Sequence, residues 1–512
     1  MCRTKTVAAI LAVLCLNGIV LAKVYDVMDY GAVADGKAVD SPAINKAIEA
    51  AATAGGGTVH LPAGQYLSFS IRLKSNITLH LDQGATLTAA TPGELGGYDD
   101  PEPNRWGDEH RYQDFGHSHW HNSLIWGENL ENIAIIGPGR IWGRGLSRDR
   151  HHPGSGNKSV ALKFCKNVII RDVSFLTGGH FCILPTGVDN FTIDNVKIDT
   201  NRDGINIDCC KNVRISNCFV NSPNDDAIVL KSSFALGYAR STENVTITNC
   251  QVTGYDIGTL FDGTYQKTQE RAPDRGRVTG RIKFGTESNG GFKNITISNC
   301  VFDHCRGFAL ETVDGGLLED VTISNIAMRD ITNAPFFLRL GRRMRGPDGV
   351  PVGSLRRVTI SDVIVDGANP TYASLIMGIP GHDIEDVQLN NIRIRVKGGA
   401  PAEHATGQVA ELEDGYPDPR YFVRSGPIPS YAFFIRHVKG IELNNVDIRY
   451  EETDHRPAFV MDDVKDVEFN NVSAQKTKGV PTVVFKNVTG FRSHQCDPLP
   501  DTRRDKVSEG SM

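Results

Sequence analysis

The sequence predicts an all-β protein, a right-handed parallel β-helix, on three observations. A phrase close to Asn-Val-x-Ile recurs along the chain, β-branched residues alternate inside it, and Asn, Asp or Gly stand at its corners. The phrase opens at Asn167, Asn190, Asn212, Asn244 and Asn294, and returns in varied form at Asp320, Arg357, Asp386, Gly440 and Asp466. Val168 to Phe191 is 23 residues and Phe191 to Val213 is 22, a period that holds two or three short strands and leaves no room for a helix. Leucine-rich repeats would instead place leucines at fixed offsets. Coils stacked about 4.8 Å apart give every strand a neighbour on both sides and let corner Asn side chains form ladders.

Taken in chain order, residues 1–22 read as a cleaved secretory signal. Arg3 and Lys5 precede an apolar run from Val7 to Val20, and Val20-Leu21-Ala22 closes it with small residues. The run is shorter than the roughly 20 residues of a permanent span, so an exported protein without a membrane span is expected. Ser41 with Pro42 begins a helix as N-cap and first turn. Its apolar stripe is Ala43, Ile44, Ala47, Ile48 and Ala51, and Gly55-Gly56-Gly57 stops it, so it suits the end of the stack as a cap. A single catalytic domain is expected over 23–495, because the repeat runs on without a composition break. Long stretches at 92–121, 146–157, 265–277, 342–353 and 397–429 interrupt the coils and are expected to wall a groove. Residues 496–512 read as a charged, disordered tail.

Composition narrows the function. Of 512 residues 40% are hydrophobic, enough for a large core, and 55 basic against 60 acidic residues leave a net charge of −5. That balance has no basic excess to meet a phosphate backbone, so nucleic acid is excluded as a partner. Nine of the 11 cysteines lie beyond residue 22, and Cys218, Cys250 and Cys300 each end the same Asn-Cys phrase. Such regularity favours a stacked row of small buried side chains over a disulfide framework. The sequons at Asn244 and Asn294 fall inside the phrase and read as ladder residues. A monomer without a cofactor is expected.

The chemistry lies between the phrases. Asp203 in Asn201-Arg202-Asp203-Gly204 and Asp226 in Asn224-Asp225-Asp226-Ala227 are 23 residues apart, one coil, so they stack on one face. Asp225 is one residue out of phase and reaches the same place from another direction. Asp-Gly and Asn-Asp are also common turn residues, but the registered second pair points to function. Three converging carboxylates are what hydrolysis of a glycosidic bond requires, one carrying a proton for the leaving oxygen while ionised partners polarise a water. His180, 23 residues before Asp203, extends the column on this count, and a corner histidine is the equal alternative. His117, His119 and His121 alternate as on a strand face, without a metal-ligand pattern. Trp106, Tyr112, Trp120 and Trp126 suit sugar stacking or packing.

On these motifs the chain resembles the family 28 glycoside hydrolases, the polygalacturonase and rhamnogalacturonan hydrolase group with a pectin-lyase-like β-helix. Tyr30-Gly31-Ala32-Val33-Ala34-Asp35-Gly36, Leu61-Pro62-Ala63-Gly64 and Gly137-Pro138-Gly139 belong to the resemblance, and Asp203 with Asp225-Asp226 is its specific part. The resemblance implies a pectic substrate, Asp225 as general acid, and Asp203 and Asp226 holding the attacking water in an inverting reaction. An inverting acid–base pair is expected about 6.5–9.5 Å apart. Arg202 stands where the family has threonine, and the family's Gly-His-Gly motif has no counterpart, the stretch reading Thr279-Gly280-Arg281. The family's uronate-binding Arg-Ile-Lys falls on Ala309-Leu310-Glu311, so a rebuilt sugar pocket is expected. Arg281-Ile282-Lys283, one phrase earlier, either substitutes for it or forms a solvated strand face. The substrate-binding set is thus His180, Arg202, Lys231, Arg281, Lys283 and Glu311. A β-helix polysaccharide lyase and a non-catalytic glycan-binding β-helix are the rival readings.

Overall fold

Coil geometry follows from the corner residues. In a computed structural model describing residues 23–106, 111–148, 152–272 and 276–512, the strands form a right-handed parallel β-helix. Thirty-four strands join one sheet, with a separate two-stranded ribbon of Arg271–Ala272 and Gly276–Arg277. The expected signal segment lies outside the described residues. Among those described, no helix is long and apolar enough to cross a membrane.

Each corner of the phrase needs a left-handed backbone, which Asn tolerates better than most residues. Asn167, Asn190, Asn212, Asn244 and Asn294 all take φ between 53° and 57°. Their side chains form the expected ladder, each amide donating to the Oδ1 of the preceding coil: Asn190 to Asn167 at 3.1 Å, Asn244 to Asn212 at 3.0 Å, Asn294 to Asn244 at 2.7 Å. Inside the coil, Val, Ile and Phe stack in register, as in Val168↔Phe191↔Val213↔Val245↔Ile295. Cys218, Cys250 and Cys300 are buried free thiols. No disulfide occurs among the described residues.

The cap helix spans Ser41–Thr53 and buries the expected alanines and isoleucines. Its N-cap is Asp40 rather than Ser41, one residue earlier than the sequence suggested. The Asp40 carboxylate does not cap the helix; it accepts the Val33 and Ala34 amides at 2.7 and 3.2 Å, tying the opening turn to the helix start.

The tail corrects its expectation. Thr502–Ser511 is a strand paired antiparallel with Val483–His494, the final coil. An open coil edge presents unpaired backbone groups to any passing chain, and a highly charged closing strand pairs them while discouraging further addition. The charge taken as a sign of disorder serves this edge.

One face of the solenoid carries the strands Phe181–Thr186, Asp203–Asp208, Ile228–Ser232, Ile282–Ser288 and Phe308–Thr312 on successive coils. The inserted segments gather over it. Segment 92–121 reaches Asn206 through His117, and 146–157 abuts His180 through Arg148. Gln269 donates to Asn224, Arg345 pairs with Glu287, and Asp418 pairs with Arg306.

Candidate active site

Strand register decides which side chains meet. Ile205 pairs with Ile228, so Asp203 and Asp226 stack one coil apart as expected. Asp203, Asp225 and Asp226 each offer an oxygen within 4.8 Å of the others. Asp203 and Asp226, one coil apart, are spaced by the coil pitch of about 4.8 Å, while Asp225 stands outside that stack and is not tied to it.

The three carboxylates have different surroundings. The Asp226 backbone N–H is shared between Asp203 Oδ1 at 3.3 Å and Asp225 Oδ1 at 3.1 Å, which holds those two side by side. Asp203 is buried, and burial first, then the charge of Asp225, pushes its carboxyl well above the ordinary range. Against these, Asn206 Nδ2 donates to Asp203 Oδ2 at 2.9 Å and Lys231 Nζ lies 3.9 Å from the same oxygen. Lys231 in turn pairs with buried Glu287 at 2.9 Å. Burial acts upward on Asp226 too, yet Lys283 and Arg281 outweigh it and hold that carboxyl below the ordinary range. Two neighbouring carboxylates are thus tuned apart, the arrangement that separates acid from base roles. Asp225, the most open of the three, faces Arg202 Nε at 3.4 Å.

Arg281 and Lys283 are not a solvated strand face. Both are buried, with Arg281 Nε 2.8 Å from Asp226 Oδ1 and Lys283 Nζ 3.4 Å from Asp226 Oδ2. Ile282 between them points inward and stacks on Ile228, which turns its two neighbours toward the aspartates. Below them Glu311 is fully buried, 3.6 Å from Lys283 and 3.8 Å from Arg281, and neither of its oxygens has a hydrogen-bond partner. Burial raises its carboxyl to about 7, opposed by Lys283 and Arg281. Two cations face these two carboxyl groups, so Glu311, when ionised, does not present the uncompensated charge that its sequence position suggested.

His180 is not in the aspartate column. The coil before Asp203 is 22 residues long, and Phe181 takes the register position beside it. His180 sits next to the column, its Nδ1 near both the Arg148 carbonyl at 2.9 Å and Arg202 Nη1 at 3.0 Å. Burial and the Arg202 charge keep it neutral by lowering its pKa.

The histidine that reaches the aspartates' surroundings is His117, from a short 3-10 turn at Phe115–His117 rather than a strand face. His119 stacks on Phe115, and His121 pairs with Glu128 at 3.0 Å and stacks on Trp126. Of the aromatics, Trp120 is buried and donates to Thr186, while Trp106 and Tyr112 pack with Phe234. The sequence reading missed Asp114, Asn206, Glu287, Tyr416 and Asp418. The Tyr416 ring is exposed, its centroid 5.9 Å from Lys283 Nζ and 5.8 Å from the Arg343 guanidinium. Only the length of insertion 397–429 hinted at it.

Comparison with known proteins agrees with the fold. Residues 24–97 match the profile of rhamnogalacturonase A/epimerase, pectate lyase-like proteins, and 149–269 match a right-handed β-helix region. A probable polygalacturonase from Vitis vinifera is 24% identical over 395 residues, covering 72% of this chain and 74% of the relative. The chain resembles the family 28 glycoside hydrolases over most of its length. The family 28 exopolygalacturonase of Yersinia enterocolitica superposes with a TM-score of 0.64 at 18% identity, over 87% of this chain and 78% of that one. A hyperthermoactive exopolygalacturonase of Thermotoga maritima gives 0.58 at 17%, over 96% and 95%. At these identities the structural likeness is one of fold.

Proposed function

We propose that this protein is an exported glycoside hydrolase that cleaves a pectic chain by acid/base catalysis in a single inverting displacement. One observation carries the reading: three carboxylates converge within 4.8 Å, with one held ionised by two buried cations and one favoured in its protonated form. Asp226, ionised, orients the attacking water. Asp203 and Asp225 share one proton, which passes to the leaving oxygen through Asp225, the more open of the two. Resemblance to polygalacturonases along about three quarters of the chain supports a pectic substrate.

The sugar at the cleaved position is neutral or decorated, as in a rhamnogalacturonan fragment. Arg281 and Lys283 are already engaged with Asp226 and lie beside Glu311, so a uronate would have to compete with those carboxyl groups for them. Pectic oligosaccharides assayed side by side are expected to show rhamnogalacturonan fragments turned over well and plain polygalacturonate poorly. Equal turnover of the two rejects the rebuilt pocket.

Attack occurs near a chain end. All five insertions send a side chain or carbonyl to the aspartate face or its edge, so they crowd the groove in which a long polymer would lie. Reducing ends are therefore expected to appear with little loss of viscosity, and an early collapse of viscosity would indicate internal cleavage.

A further inference from the structure

A hydrogen-bonded chain runs from an insertion into the catalytic carboxylates. Asp114 Oδ1 lies 3.0 Å from His117 Nδ1, His117 Nε2 lies 3.1 Å from Asn206 Nδ2, and that same Nδ2 donates to Asp203 Oδ2 at 2.9 Å. His117 and Asn206 are buried, and the His117 ring packs on Phe181 with centroids 4.3 Å apart. Phe181 is the register neighbour of Asp203. Nδ2 can only donate, so His117 Nε2 is the acceptor and Nδ1 carries the proton given to Asp114. Asn206 Oδ1 is buried and has no hydrogen-bond partner.

That orphan oxygen is informative. An unconstrained amide would turn Oδ1 toward a protonated Asp203, satisfying both groups. Nothing in Asn206 itself prevents the turn. The acceptor on His117 does, because it requires the NH₂ end of the amide, and Asp114 keeps His117 in the tautomer that accepts.

We infer that His117, oriented by Asp114, is a positioning residue that fixes the Asn206 amide and thereby decides which of Asp203 and Asp225 keeps their shared proton. This rests on the acid/base reading above and assigns the choice of acid within it. Nδ2 aimed at Asp203 stabilises its ionised form against the burial and neighbouring charge that raise its carboxyl, which eases passage of the proton to Asp225, where the leaving oxygen can take it. The charged groups around Asp203 are Asp225, Asp226, Lys231 and Arg202. Around His117 they are Asp114 and, beyond Asn206, Glu287; Asp114 in turn meets His180 Nε2 at 3.5 Å and Arg202 Nη2 at 3.9 Å. Lys231 and Arg202 act in the same direction as Asn206, while Asp225 and Asp226 oppose it.

The test compares His117→Phe, which keeps the packing and loses the acceptor, with His117→Gln, which keeps an acceptor near the same place. The Asp203 signal is the protonated-carboxyl infrared band that Asp203→Asn abolishes, followed against pH without substrate. His117→Phe is expected to move that titration up by about one to two pH units. It should lower kcat roughly ten- to a hundredfold with KM little changed, and move the alkaline limb of kcat/KM the same way. His117→Gln is expected to stay near wild type. His117→Leu, which also lacks the acceptor, should shift the titration in the same direction and serves if His117→Phe does not fold. An unshifted titration in His117→Phe or His117→Leu overturns the inference, as does His117→Gln behaving like His117→Phe. The titration is read without turnover, so a shift in a protein that cleaves no pectic chain would reject the hydrolase reading and leave the positioning role standing.

Discussion

Asp225→Asn is expected to lower turnover by about 10²- to 10⁴-fold, the range that general acid catalysis supplies, while leaving the protein folded. The substitution keeps the size of the side chain. Asp225 is partly exposed; it accepts the Asp226 amide at 3.1 Å and faces Arg202 at 3.4 Å. An asparagine oxygen can still accept the amide; it cannot deliver a proton. Steady-state kinetics with circular dichroism as a folding control checks this. Retention of more than a tenth of wild-type turnover would remove Asp225 from the acid role.

The second large effect is on stability. Lys283→Met is expected to cost about 3–5 kcal/mol, because it strips one of two cations from two buried carboxylates. The defect should depend on pH in a definite direction. Burial sets Glu311 at about 7, above the ordinary carboxylate range. Below that pH Glu311 is largely neutral and needs its cation less; as pH rises through it, Glu311 ionises with only Arg281 at 3.8 Å to meet the charge. Denaturant unfolding should therefore show a larger loss at pH 8 than at pH 5. Adding Glu311→Gln to Lys283→Met should recover most of the loss at pH 8, since the carboxyl that lost its partner is then gone. Additive single and double effects would show that the two groups do not interact.

What could be read from the sequence was what repeats. The corner asparagines, the inward Val and Ile rows and the stacking of Asp203 on Asp226 are local patterns multiplied by a period. Each copy reinforces the same reading. The misreadings arise where the period slips or the chain leaves it. One coil of 22 residues moved Phe181, rather than His180, beside Asp203. The 22 residues from Phe191 to Val213 already carried that slip, but the corner that absorbs it, between Leu176 and Phe181, lies outside the repeated phrase, so the count of 23 to His180 passed over it. His117 comes from an insertion with no repeat to index it, and its meeting with Asn206 spans 89 residues of sequence. Arg281 and Lys283 look like a surface pair because two cations flank an apolar residue, and the alternation is real. The direction is reversed because that face is covered by inserted segments, with Asp226 and Glu311 there to meet them. In the tail, charge signified a protected edge.

The most direct test is NMR of the first turnover on a pectic oligosaccharide that the enzyme cleaves. New reducing ends are expected to appear first in the inverted anomeric configuration, with mutarotation following, and no unsaturated sugar. Retained configuration would contradict the single displacement through Asp225 and Asp226, and an unsaturated product would contradict hydrolysis altogether.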